Sequence, residues 1–159
     1  MTLLKSPAVA GRGDMLLKYP ELIDDYDPSL LPAQPYVAVH LGASTPNKIP
    51  PNPSVLTRGL LLAGVHFVLV GNEARDLPPI LRLHIDVVKR ARKFIGTLSV
   101  FNCVAQIKKI PSLVLVNRAV KDPSIYALMH ANNAKIIEWN NGSYSHAQIY
   151  HYAVEWAQQ

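Results

Sequence analysis

Residues 36–71 read YVAVHLGASTPNKIPPNPSVLTRGLLLAGVHFVLVG, and this stretch decides the fold. Tyr36-Val37-Ala38-Val39-His40 is a short β-type run, followed by a polar loop from Gly42 to Pro51. Asn52 reads as a helix N-cap with Pro53 at the first helical position, and Gly64 as the stop. Between them, Leu56, Leu60 and Ala63 fall on one helical face. Val65 to Val70 is almost continuously apolar, as in a strand covered on both faces. Strand, loop, helix and strand in this order form a βαβ unit.

The same rhythm continues downstream. Leu81, Leu83, Ile85 and Val87 alternate like a strand, whereas Asp86 to Arg92 can form a short helix, and periodicity leaves both open. Phe94-Ile95 is a short strand, with a turn over Gly96 to Leu98. Ser99 caps a helix from about Val100 to Lys109 with two lysines in its last turn. Ser112 to Asn117 is an apolar strand, and Asp122-Pro123 opens a helix to about Ala131. Lys135 to Trp139 is a strand, followed by the turn Asn140-Asn141-Gly142. Ser145 and Gln148 have the spacing of a capping box for a last helix. The expectation is an α/β chain: one Rossmann-like domain over 36–159, with a mainly parallel sheet of about five strands. Residues 1–35, with Pro7, Gly11, Gly13, Pro20, Pro28, Pro32 and Pro35, read as an N-terminal arm or linker with a short helix around Glu21 to Asp25.

Bulk properties agree. A chain of 159 residues with 49% hydrophobic and 17% charged residues suits one domain with a generous core. Cys103 is the single cysteine, which forbids an intrachain disulfide and favours a reducing compartment. Met1 to Lys5 lack the apolar core of a signal peptide, and Leu60 to Val70 is too short for a membrane span. A cytoplasmic protein is expected. The formal charge of +5 suits either an anionic partner or a solvated surface, and the second reading is preferred at this magnitude.

In open α/β sheets ligands bind beyond the carboxyl ends of the strands. Two loops there carry suitable groups. In the first, Gly42 permits close backbone approach, Ser44 and Thr45 offer hydroxyls, and Lys48 offers a point charge, all of which suit a phosphate. It is not a Walker A loop, because the Gly-Lys-Ser/Thr ending is absent. In the second, Thr97 and Ser99 lead into a helix N-terminus, where free N–H groups attract anions. Each loop can equally be an ordinary polar connection.

Tyr36 to Pro50 and Phe94 to Val116 resemble the C-terminal, donor-binding half of heptosyltransferase-type glycosyltransferases of the GT-B class. In that family a strand runs into a His-Pro-Gly-Ala-like loop, with a lysine shortly before a Trp-Pro pair. Here the stretch is His40-Leu41-Gly42-Ala43, then Lys48-Ile49-Pro50. The family's second motif, Asp-Ser/Thr-Gly-x-x-His, falls on Leu98, Ser99, Val100 and Cys103, so its acidic residue, glycine and histidine are absent. The resemblance implies a nucleotide or nucleotide-sugar ligand for Gly42, Ser44, Thr45, Lys48, Thr97 and Ser99. It implies half of a two-domain transferase, not a complete one. No catalytic residue is assigned, and no cofactor or metal is expected.

Other groups have plainer readings. Cys103 lies in the first turn of a helix but has no sequence-near base, so a buried structural thiol is expected. The six histidines include no i, i+4 pair for zinc. Lys89-Arg90-Ala91-Arg92-Lys93 reads as a solvated helix face more than a nucleic-acid contact. Tyr144, Tyr150, Tyr152 and Trp156 belong to the core or to a homodimer surface. The alternative function is a non-catalytic interaction or nucleic-acid-binding protein that uses the basic run or the last helix.

Overall fold

A computed structural model describes residues 25–43, 45–119, 133–140 and 142–159. The expected helix at 122–131, Ser44 and Asn141 lie outside the described residues. Five strands form one parallel sheet: β1 (Val37–His40), β2 (Phe67–Leu69), β3 (Lys93–Gly96), β4 (Ser112–Asn117) and β5 (Ala134–Trp139), in the order β2-β1-β3-β4-β5. In register, Val37 pairs with Phe67 on one side and with Lys93 on the other. Every residue of β1 and β4 is buried, because helices cover both faces.

The helices are α1 (Ser54–Leu62), α2 (Leu81–Lys89), α3 (Val100–Ile107) and α4 (His146–Gln158). Side chains alternate across each strand, so β1 feeds two cores. Val37 and Val39 pack under α1 and α4 with Leu56, Leu60, Ile149 and Ala153. Tyr36 and Ala38 pack on the opposite face with Leu83, Val87 and Phe101.

Local signals account for most ends. Gly64 (φ +72) closes α1 in a Schellman motif: its N–H donates to Leu61 O, and Val65 N–H donates to Leu60 O. Asn52 does not cap α1. It takes a left-handed conformation (φ 49), Pro53 holds the cap position, and the helix begins at Ser54. The Ser145–Gln148 capping box of α4 forms as its spacing suggests. Residues 81–89 are helical. The buried set Leu83, His84, Val87 and Val88 has helical spacing and includes a histidine, which apolar alternation could not show.

Cys103 is exposed, which corrects the expected buried thiol. Helix α3 turns Phe101 and Ala105 toward the sheet and leaves Cys103 and Ile107 outside. The described part of the N-terminal arm is strapped along α2: Asp25 pairs with Arg82 at 2.8 Å, and Tyr26 donates to Asp86.

Candidate functional site

The chain leaves β1 toward α1 on one face and leaves β3 toward α3 on the other. Adjacent strands whose connections diverge in this way form a topological switch point, with a crevice at their carboxyl ends. Here that crevice is a cleft of about 710 Å³, within the range of small-ligand sites. Its walls come from the end of β1 (His40, Gly42, Ala43), the β2–α2 connection (Gly71 to Ala74, Leu77 and Pro79), α2 (Leu81, His84) and the start of α3 (Leu98 to Phe101).

Gly42 and Ser99 therefore meet on one cleft. Ser99 is the N-cap of α3, with its Oγ accepting from Asn102 N–H at 3.4 Å. Thr97 does not line the cleft. It is fully buried and clips the two loops together: Oγ1 donates to Gly42 O, and its N–H donates to His40 O at 3.1 Å. Thr45 is exposed ahead of a 3-10 turn, Pro46–Lys48, and Lys48 is half-buried in that turn. Neither lines the cleft. The turn is tied toward β4, where Asn117 Nδ2 donates to Asn47 O at 2.8 Å. No lysine or arginine is among the lining residues.

Three ionisable groups define the cleft chemically. His40 is 6% exposed, packs on the Phe101 ring at 4.8 Å, and has no partner for its Nδ1 among the described residues. Burial, with a smaller repulsion from His84, pushes its pKa down to about 4, so the ring is neutral near pH 7. Burial also lowers the pKa of His84, against an opposing bond to the Pro78 carbonyl. Glu73 brings a carboxylate beside Gly42: a Cβ placed on Gly42 would stand 2.5 Å from Glu73 Oε2. Sequence reading met His40 only within the His40-Leu41-Gly42-Ala43 stretch and did not pick out His84 or Glu73. The available signal was Gly71-Asn72-Glu73, a glycine-led polar step at the end of a strand.

The basic run is largely spent inside the chain. Arg92 Nη2 donates to Ala157 O, and Lys93 Nζ donates to Trp156 O and Gln159 O, so both cap the carboxyl end of α4. Lys93 also lies 4.6 Å over the Trp156 ring. Lys89 pairs with Asp86 at 3.8 Å, and Arg90 bonds Gln34. These charges hold β3 to α4 and α2 to the strap.

No protein-family model matches the chain, and no curated protein matches it. Among solved structures it is similar to the dodecameric iron-containing heptosyltransferase TibC in complex with ADP-D-β-D-heptose. The two share 18% identity at a TM-score of 0.43, over 57% of this chain and 30% of that chain. The α/β class of the present chain is read from its own sheet. Among the described residues no helix is long and apolar enough to cross a membrane, and no group of three or more metal-ligating side chains occurs.

Proposed function

We propose that this chain is a nucleotide- or nucleotide-sugar-binding domain whose ligand lies in the switch-point cleft. The observation that carries the reading is the convergence of Gly42 and Ser99 beside the amino end of α3. The first turn of a helix offers N–H groups without intrahelical partners, which suit a phosphate in the absence of a lining cation. Gly42 allows the ligand to approach the main chain. The Glu73 carboxylate accepts hydrogen bonds from hydroxyls and repels phosphate, so the sugar side of the ligand belongs on that wall and the phosphate at Ser99. The resemblance of 36–50 and 94–116 to a donor-binding half supports the ligand class and is silent on its orientation. The function proposed is binding. Arg92 and Lys93, engaged at α4, weigh against the nucleic-acid alternative.

The test is calorimetric titration of the chain with UDP-glucose, ADP-glucose, UDP, ADP and inorganic phosphate. Binding of a nucleotide or nucleotide-sugar, weakened in Ser99→Ala, is expected. Absence of heat with every ligand at millimolar concentration refutes the reading.

A further inference from the structure

Gly71 stands between two histidines. Its N–H donates to Nδ1 of His84 at 2.8 Å, and Nε2 of His84 lies 2.8 Å from the Pro78 carbonyl oxygen. Both partners are main-chain groups of fixed polarity: an amide N–H only donates, and a carbonyl only accepts. His84, which is 4% exposed, therefore carries one proton, on Nε2, and is neutral. On its other side Gly71 faces His40, where a Cβ would meet the ring at 2.6 Å, and its φ of +86 is one that only glycine adopts readily. Gly71 opens the 3-10 turn Gly71–Glu73, which has no side-chain cap of its own.

We propose that His84 is a positioning residue for the cleft: by bridging the Gly71 amide to the Pro78 carbonyl it anchors both ends of the β2–α2 connection and so holds the Glu73 carboxylate beside Gly42. Between the two anchors lie Asn72, Glu73, Ala74 and Leu77, one entire wall of the cleft. This inference rests on the reading of the cleft as a ligand site. The groups that surround His84 leave its protonation state as the controlling variable. Strand β1 presents the neutral His40, and α3 presents the Phe101 ring at 6.4 Å. The connection presents main-chain groups and Glu73, whose carboxylate is turned to Gly42. On α2 itself, Arg82 is paired with Asp25, while Asp86 holds Tyr26 and Lys89. A second proton on His84 sets N–H against N–H at Gly71, so acid releases the brace.

The test uses the wild-type chain, His84→Asn and His84→Leu. Asparagine keeps an acceptor, Oδ1, near the place of Nδ1 and does not titrate; leucine keeps neither bond. Imidazole nitrogen NMR of the wild type should show the Nε2–H tautomer at neutral pH. The Gly71 amide should be protected from exchange there and lose protection as His84 takes up its second proton. In His84→Asn it should stay protected at both pH values, and in His84→Leu it should exchange faster at both, by roughly tenfold or more. UDP-glucose, whose diphosphate charge is constant over this range, should bind in the same order, with roughly tenfold weaker affinity for His84→Leu. An Nδ1–H tautomer, or equal Gly71 exchange in wild type and His84→Leu, overturns the brace. Unchanged UDP-glucose affinity in His84→Leu overturns the positioning role. If His84→Leu does not fold, the wild-type pH series and His84→Asn decide. If the wild type binds no UDP-glucose, the binding reading fails, while Gly71 exchange still judges the brace.

Discussion

Acid should destabilise this fold through His40, by an amount its burial sets. The ring is neutral in the folded chain because burial lowers its pKa from 6.5 to about 4. The unfolded chain takes up a proton near the ordinary value, so below about pH 6.5 it binds more protons than the folded chain. The contribution is therefore complete above that value, falls as pH drops, and is lost below about pH 4. At about 1.4 kcal/mol per pH unit the ceiling is roughly 3 kcal/mol, and about 2 kcal/mol of it is lost by about pH 5. His84, also lowered, adds a loss of the same sign. Urea unfolding followed by tryptophan fluorescence, at about pH 7.5 and about pH 5, measures the difference in wild type and His40→Leu. Leucine also removes the unpartnered Nδ1, so the variant should lose about 2 kcal/mol less than wild type between the two conditions. Equal losses in the two proteins would refute the account of His40 as a buried neutral imidazole.

Further substitutions probe separate parts of the structure. Gly96→Ala would place a Cβ 2.5 Å from Phe94 Cζ and 2.9 Å from the His40 carbonyl oxygen. It should cost about 1–3 kcal/mol, and an unchanged melting temperature would show that the β1–β3 junction is looser than drawn. Lys109 ends α3 at φ 55, with Ile110 N–H donating to Ala105 O. Lys109→Gly should therefore gain about 0.5–1 kcal/mol in denaturant unfolding, and a loss there would contradict the left-handed cap. Lys93→Met keeps the aliphatic stem but removes the bonds to Trp156 O and Gln159 O. Amide exchange should then rise in the last turn of α4, with about 1 kcal/mol of stability lost. Lys48→Ala should leave UDP-glucose affinity within about twofold in calorimetry, because Lys48 does not line the cleft. A roughly tenfold loss would bring the 46–48 turn into the site.

Strands and the caps at Ser99 and Ser145 were legible in the sequence because their signals are local, whereas Asn52 carried a cap residue's chemistry in a left-handed turn. Leu113 to Val116 is apolar without a break and lies within β4, and Ser145 with Gln148 needs only a spacing of three to declare itself. Helix α2 was ambiguous because one of its buried positions is His84, which no hydrophobic period counts. Cys103 was misplaced because the phase of α3 is set by Phe101 against His40 and by Ala105, which turns position 103 outward. Gly42 and Ser99 could be named in advance, since strand ends are where such sheets bind. The Glu73, His40 and His84 cluster could not, because it exists only once β1, the β2–α2 connection and α2 converge. Lys48 carried suitable chemistry, but its place depends on Asn117 drawing the 46–48 turn toward β4, a contact between residues 70 positions apart.

Helix α4, with α1, closes one face of the sheet and is fastened there by Arg92 and Lys93. Its residues Ile149, Tyr150, Ala153 and Ala157 follow Val37 and Val39 by more than about 100 positions, yet they belong to the same core. Synthesis therefore exposes an oily sheet face until α4 is made. Such long sequence separation slows folding and leaves the nascent chain open to other hydrophobic partners in the interval. Chaperone dependence during expression, relieved when α4 is supplied as a separate peptide to a chain cut before Ser145, is the cellular behaviour this architecture implies.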